Sequence, residues 1–95
     1  MNNDNVIPCA VTLDTLRHLA LSGALESSRL IPRDNRWYIT CIGKGNTVYI
    51  LKSTRDKPRL FSEIVTALKV CKSFFQPYVI ISLSDWNNSS SELDI

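Results

Sequence analysis

The stretch from Arg36 to Ser53 constrains the fold more than any other part of this chain. Between Arg36 and Ile42 the side chains alternate: Trp37, Ile39 and Cys41 fall on one side, Arg36, Tyr38 and Thr40 on the other. That is the period of a strand with one face buried. Gly43-Lys44-Gly45-Asn46 follows as a hairpin loop, with two glycines free to take positive φ. Thr47 to Ser53 is a second strand, rich in Val48, Tyr49, Ile50 and Leu51. A hairpin with one apolar face needs cover on that face.

Two helical segments supply the cover. The first is predicted from Leu13 to Ser22, with Thr12 as N-cap, Asp14 in the first turn and Gly23 at the C-terminal left-handed position. Leu13, Leu16, Ala20 and Ala24 share a stripe, and Leu19 and Leu21 flank it. Such a wide apolar girth suits either a helix packed on two neighbours, as in a homodimer, or one covered by the chain's own termini. The second helix is predicted to start at a Ser62 cap. Ile64, Val65, Leu68, Cys71 and Phe75 form its stripe, and Pro77 stops it. A short strand from Ser27 to Ile31, ending at Pro32, precedes an Arg33-Asp34-Asn35 turn; Leu60-Phe61 could add a short edge strand; a last strand runs from Tyr78 to Leu83. The order is α-β-β-β-α-β. The expected fold is α+β and two-layered: an antiparallel sheet of about four strands with two helices on one face.

Ninety-five residues make one domain, expected over residues 11–86, with residues 1–10 and 87–95 as flexible termini. The polar start, Met1-Asn2-Asn3-Asp4-Asn5, has no secretory pattern, and the longest apolar stretch is far too short for a membrane span. A cytoplasmic location is expected, with no membrane contact. The odd set Cys9, Cys41 and Cys71 reads as reduced thiols, two of them serving as small buried hydrophobes.

Chemistry-bearing residues are sparse. His18 is the one histidine, so no second imidazole can complete a metal site or a nucleophile–base pair. Asp14, Glu26, Asp34, Glu63 and Asp85 are scattered, and no motif forces two of them together. Gly43-Lys44-Gly45 lies between two strands and lacks a Gly-Lys-Ser/Thr ending, so it is a turn and no phosphate-binding loop. The expectation is a non-enzyme with no catalytic residues, metal, cofactor or small-molecule substrate.

Charge says more. The net charge is +2, unevenly spread. Between residues 29 and 59 stand eight cations, Arg29, Arg33, Arg36, Lys44, Lys52, Arg55, Lys57 and Arg59, against only Asp34 and Asp56. The rest of the chain is acidic on balance. These eight are the candidate nucleic-acid-binding residues: a basic two-stranded ribbon can lie in a groove with its Lys and Arg on phosphates, and Tyr38 and Tyr49 could stack on a single strand. Lys and Arg also decorate strands simply to keep them solvated, and a basic surface suits an acidic protein partner as well.

Three segments carry a likeness. Val11-Thr12-Leu13-Asp14-Thr15-Leu16 leads to Gly23-Ala24; Trp37 opens a strand; Arg59-Leu60-Phe61 enters the second helix, and a hydrophobic strand ends Leu83-Ser84-Asp85-Trp86. Together they resemble small plasmid-encoded, partition-associated proteins of a ParC-like family. Family members have a glycine at the end of the second helix, where this chain has Phe74-Phe75-Gln76-Pro77, and Arg-Gly where it has Arg55-Asp56. The resemblance implies an accessory protein of a mobile genetic element, acting beside a partition ATPase and DNA or a DNA-bound partner. The alternative is a small protein-binding inhibitor or adaptor from a mobile element, for example one aimed at a host defence complex.

Overall fold

The computed structural model describes residues 8–83. Five strands and two α-helices follow in chain order: β1 (Cys9–Val11), α1 (Leu13–Leu21), β2 (Leu25–Arg33), β3 (Arg36–Gly43), β4 (Val48–Leu51), α2 (Ile64–Ser73) and β5 (Ile80–Ile81), with a short 3-10 turn (Lys44–Asn46) between β3 and β4. The class is α+β, with both helices on one sheet. The expected four antiparallel strands are replaced by a five-stranded mixed sheet in the order β1-β4-β3-β2-β5. Its centre, β4-β3-β2, is antiparallel; its outer strands pair parallel, β1 with β4 and β5 with β2. Cys9 and Ala10, read as part of a loose lead, thus belong to the sheet. Residues 84–86 and the predicted tail at 87–95 lie outside the described residues, as do residues 1–7.

Each element follows from local chemistry. The Thr12 hydroxyl accepts the Thr15 N–H at 3.1 Å and caps α1. At its other end Gly23 takes φ 78°, and the bonds Gly23 N–H to Ala20 O and Ala24 N–H to Leu19 O close a Schellman motif. The β2–β3 turn is Asp34-Asn35, both at positive φ, as a two-residue hairpin of the primed type requires. Gly43 departs from expectation: it is extended (φ −99°). It is glycine for lack of space, since a Cβ there would meet the Tyr49 ring at 2.8 Å and the Ala24 carbonyl at 3.1 Å. Gly45 does take positive φ, at 78°.

Pro32 does not end β2, which starts at Leu25 and continues to Arg33. Pro32 stands opposite Trp37, whose N–H and C=O both point away from β2, to Phe61. The pair is therefore of the non-hydrogen-bonded kind, and the missing proline N–H faces a side that β5, paired only at Arg29 and Leu30, does not reach. Phe61 forms a single bridge with Trp37 and no strand.

The core is one cluster: Leu16 of α1, Ala67 and Cys71 of α2, Phe74 just beyond it, Phe61, and Leu30, Trp37, Ile39, Cys41 and Leu51 of the sheet. Both helices therefore sit on the sheet face that bears Trp37, Ile39 and Cys41. The α2 stripe differs from the predicted one. The buried positions are Ala67, Cys71 and Phe74, with Ile64 and Leu68 packed beside them, whereas Val65 and Phe75 are exposed. Glu63 is the N-cap, without a side-chain cap bond, and Ser62 does not cap the helix. The last strand is only Ile80–Ile81, shorter than the Tyr78–Leu83 run expected.

At the C-terminus of α2, Phe75 N–H bonds Lys72 O and Gln76 N–H bonds Cys71 O. This is a second Schellman motif, with Phe75 (φ 67°) in the left-handed position that glycine usually fills. Pro77 disfavours helical geometry at Gln76. The turn drives Phe74 into the core and swings Phe75 out.

Candidate nucleic-acid interface

Hairpin connections alternate between the two ends of a sheet. The β2–β3 turn and the loop from Lys52 to Phe61 therefore share one end, and the β3–β4 turn lies at the other. Backbone bonds lace the Lys52–Phe61 loop against the strands: Ser53 N–H to Lys57 O, Arg59 N–H to Leu51 O, and the reciprocal pair between Phe61 and Trp37. This lacing fixes where the side chains of Lys57 and Arg59 emerge. With Arg33 and Arg36 from the hairpin they line an open groove of about 540 Å3, together with Ser53, Pro58 and Leu60.

Four of the eight predicted cations thus meet at one place. Arg55 sits in the same loop, exposed, its N–H donated to the Ser53 hydroxyl. Lys52 is in that loop too, but its ammonium is bound to Asp56 at 2.8 Å. Arg29 lies on β2 four residues before Arg33, on the sheet face turned away from the helices. Lys44 stands apart, exposed on the β3–β4 turn at the opposite end.

Among the described residues the only ion pairs are Lys52–Asp56 and the long Arg17–Asp14 contact of 3.7 Å. Arg33, Arg36, Lys57 and Arg59 pair with no carboxylate of the described residues. Arg33 and Arg36 are direct cross-strand partners, an arrangement that like charge disfavours until an anion sits between them. Two rings hold the guanidiniums: Arg33 lies 5.8 Å from the Tyr38 ring centre and Arg59 lies 4.9 Å from that of Phe61. Sequence reasoning missed a neighbouring hollow of about 510 Å3. It shares Ser53 and Arg59 with the groove and reaches Thr12 and Leu13, so the positive end of α1 opens beside the cations. The capping signal at Thr12 was readable, but its placement beside Arg59 depends on the parallel β1–β4 pairing.

No family model, curated protein or solved structure matches this chain. The site therefore rests on its own geometry.

The other reactive groups lie elsewhere. His18 is exposed in the last turn of α1. No three His, Cys, Asp or Glu residues among those described could hold a metal ion together. No helix among them is long and apolar enough to cross a membrane. Cys41 and Cys71 are buried, and Cys9 is exposed. Loss of solvent raises the Cys41 thiol, against a smaller opposing effect of its contact with the Ser28 hydroxyl at 3.4 Å. Burial, with Cys41 nearby, pushes Cys71 up to about 12. Both thiols stay neutral in the fold where an unfolded chain would ionise them. Raising pH above the unfolded thiol range therefore favours the unfolded state, and stability is lost progressively up to about pH 12. Iodoacetamide at pH 8 should add a single modification, at Cys9, to the native protein and three after denaturation. Peptide mass spectrometry reads the difference, and native labelling of Cys71 would contradict the burial.

Proposed function

We propose that this chain binds the phosphate backbone of a nucleic acid at the basic end of its sheet. In this reading it is a non-enzymatic accessory protein of a mobile genetic element, acting beside partition machinery on DNA or a DNA-bound partner. One observation carries the binding: Arg33, Arg36, Lys57 and Arg59, from two separate segments, line one groove and have no carboxylate partner among the described residues. Unpaired arginine forks fit phosphate oxygens two at a time. Contacts to phosphate carry no sequence information, so binding through them should be weakly sequence-dependent. The likeness of the Val11–Leu16, Trp37 and Arg59–Phe61 segments to ParC-like partition proteins supports the biological setting.

The test is fluorescence anisotropy with a duplex and a single strand, each of about 20 nucleotides, titrated over a range of salt. Four phosphate contacts should give a slope of roughly −4 in log affinity against log salt on the duplex. Absence of binding at about 50 mM salt, or affinity indifferent to salt, removes the reading.

A further inference from the structure

We propose that the nucleic acid is single-stranded and lies across the helix-free face of the sheet, with an unpaired base on the Tyr38 ring. This deepens the phosphate-binding reading above and rests on it. Both helices pack on the face that bears Trp37, Ile39 and Cys41, so alternation turns Arg36, Tyr38 and Thr40 to the other side. The β2–β3 register sets Arg33 opposite Arg36, Ile31 opposite Tyr38 and Arg29 opposite Thr40. Directly opposed residues share a face, so these six side chains form one block. Three of its four corners are arginines, Ile31 and Tyr38 lie between them, and it holds no carboxylate. The two strand tyrosines are thereby separated. Tyr49 pairs with Cys41 and packs against the core on the helix side, whereas Tyr38, half-buried, faces the open side.

The chemistry of the block selects the occupant. Arg29, Arg33 and Arg36 are exposed and have no ion-pair partner among the described residues. β3 is the middle strand of five, so Arg36 guards no open edge. Arg33 and Arg36 also line the basic groove, so the face continues that site, and Arg29 extends it along β2. A polyanion is therefore favoured on this face. A duplex offers the face only phosphates, because its bases are stacked on one another. A single strand offers phosphates to the arginines and the flat side of a base to the ring. The Arg33 guanidinium stands 5.8 Å from the Tyr38 ring centre. A base that takes the ring moves this guanidinium onto the adjoining phosphate, exchanging a weak exposed contact for a charge-assisted pair.

The probe is a fluorescein-labelled strand of about 12 thymidines, compared with an equally long strand of abasic sugars. Both carry the same phosphates, so a difference in affinity belongs to the bases. The thymidine strand should bind at least about tenfold more tightly, and the gap should persist as salt rises, because stacking is not screened as charge is. Tyr38→Phe should keep the gap and Tyr38→Leu should close it. Arg29 stands outside the basic groove, so Arg29→Gln should weaken the thymidine strand about threefold and leave a duplex of about 20 base pairs unaffected. That residue is exposed, so its variant reports even where Tyr38→Leu does not fold.

Equal binding of the thymidine and abasic strands, beside a duplex that keeps its salt-dependent affinity, overturns the inference and leaves phosphate binding standing. No binding by strand or duplex removes both. A glutamate polymer of equal charge that binds as tightly as the thymidine strand also overturns it, as does an Arg29→Gln loss equal for strand and duplex.

Discussion

Arg33→Glu, Arg36→Glu and Arg59→Glu combined should lower affinity for duplex DNA by about three orders of magnitude or more at about 0.1 M salt. The salt slope should become shallower by roughly three units, about one for each phosphate contact removed. The three positions come from two segments but line a single groove, so their effects should not be those of isolated surface charges. The fold should tolerate the change. All three residues are exposed and, among the described residues, outside any ion pair, and surface substitutions of this kind typically fall within about 0.5 kcal/mol. Loss of the Arg33–Tyr38 and Arg59–Phe61 contacts adds no more than about 1 kcal/mol each. Lys44→Glu is the internal control. It changes the net charge by the same amount as each of the three substitutions, but at the opposite end of the sheet, and should cost less than about threefold in affinity. A Lys44→Glu loss matching the triple variant would mean that binding senses overall charge and not this groove.

That contrast also marks how far charge could be read without a structure. Counting cations between residues 29 and 59 marked the half of the chain that supplies the groove but could not sort Lys44 from Arg33, because both stand at connections flanking β3. The sorting comes from hairpin geometry: turns separated by one strand lie at opposite ends, and turns separated by two lie at the same end. Lys52 fell out for a different reason. Asp56, four residues later, folds back onto it within a loop that has no sequence periodicity. Local alternation, by contrast, was sufficient for β3, where Trp37, Ile39 and Cys41 are buried as their spacing requires. It could not reveal β1, whose three residues carry no readable period, nor the parallel pairing of the last strand. The partners of β1 and β5 lie about 40 and 50 positions away in the chain.

The second helix shows the limit most clearly. Ile64, Leu68, Cys71 and Phe75 fit a stripe as well as Ile64, Ala67, Cys71 and Phe74 do, and nothing in the spacing separates the two adjacent phenylalanines. Helix termination decided between them. Once the chain leaves the helix at Ser73, the left-handed residue at 75 reverses its direction, so the two adjacent phenylalanines point to opposite environments. Gln76 helps hold this arrangement. Its amide accepts the Ser28 hydroxyl at 2.6 Å and donates to Phe74 O at 3.1 Å, tying the end of α2 to the middle of β2.

Phe74→Ala should therefore be the most damaging single substitution at this corner, at about 3–5 kcal/mol. The ring is fully buried, among the largest side chains to be so, and belongs to the cluster joining Leu16, Leu30 and Cys71. Its removal leaves a cavity roofed by two helices and backed by a sheet, which the surroundings cannot easily close. A domain of this size has only about 5–15 kcal/mol in total. Urea unfolding should show a midpoint lower by about 2–4 M with an unchanged slope, or a chain already unfolded without urea. Phe75→Ala keeps the same left-handed backbone and deletes a half-exposed ring, so it should change stability by less than about 1 kcal/mol. Equal losses for the two variants would mean that both rings are buried, and that the turn at the end of α2 does not divide them between core and solvent as the geometry requires.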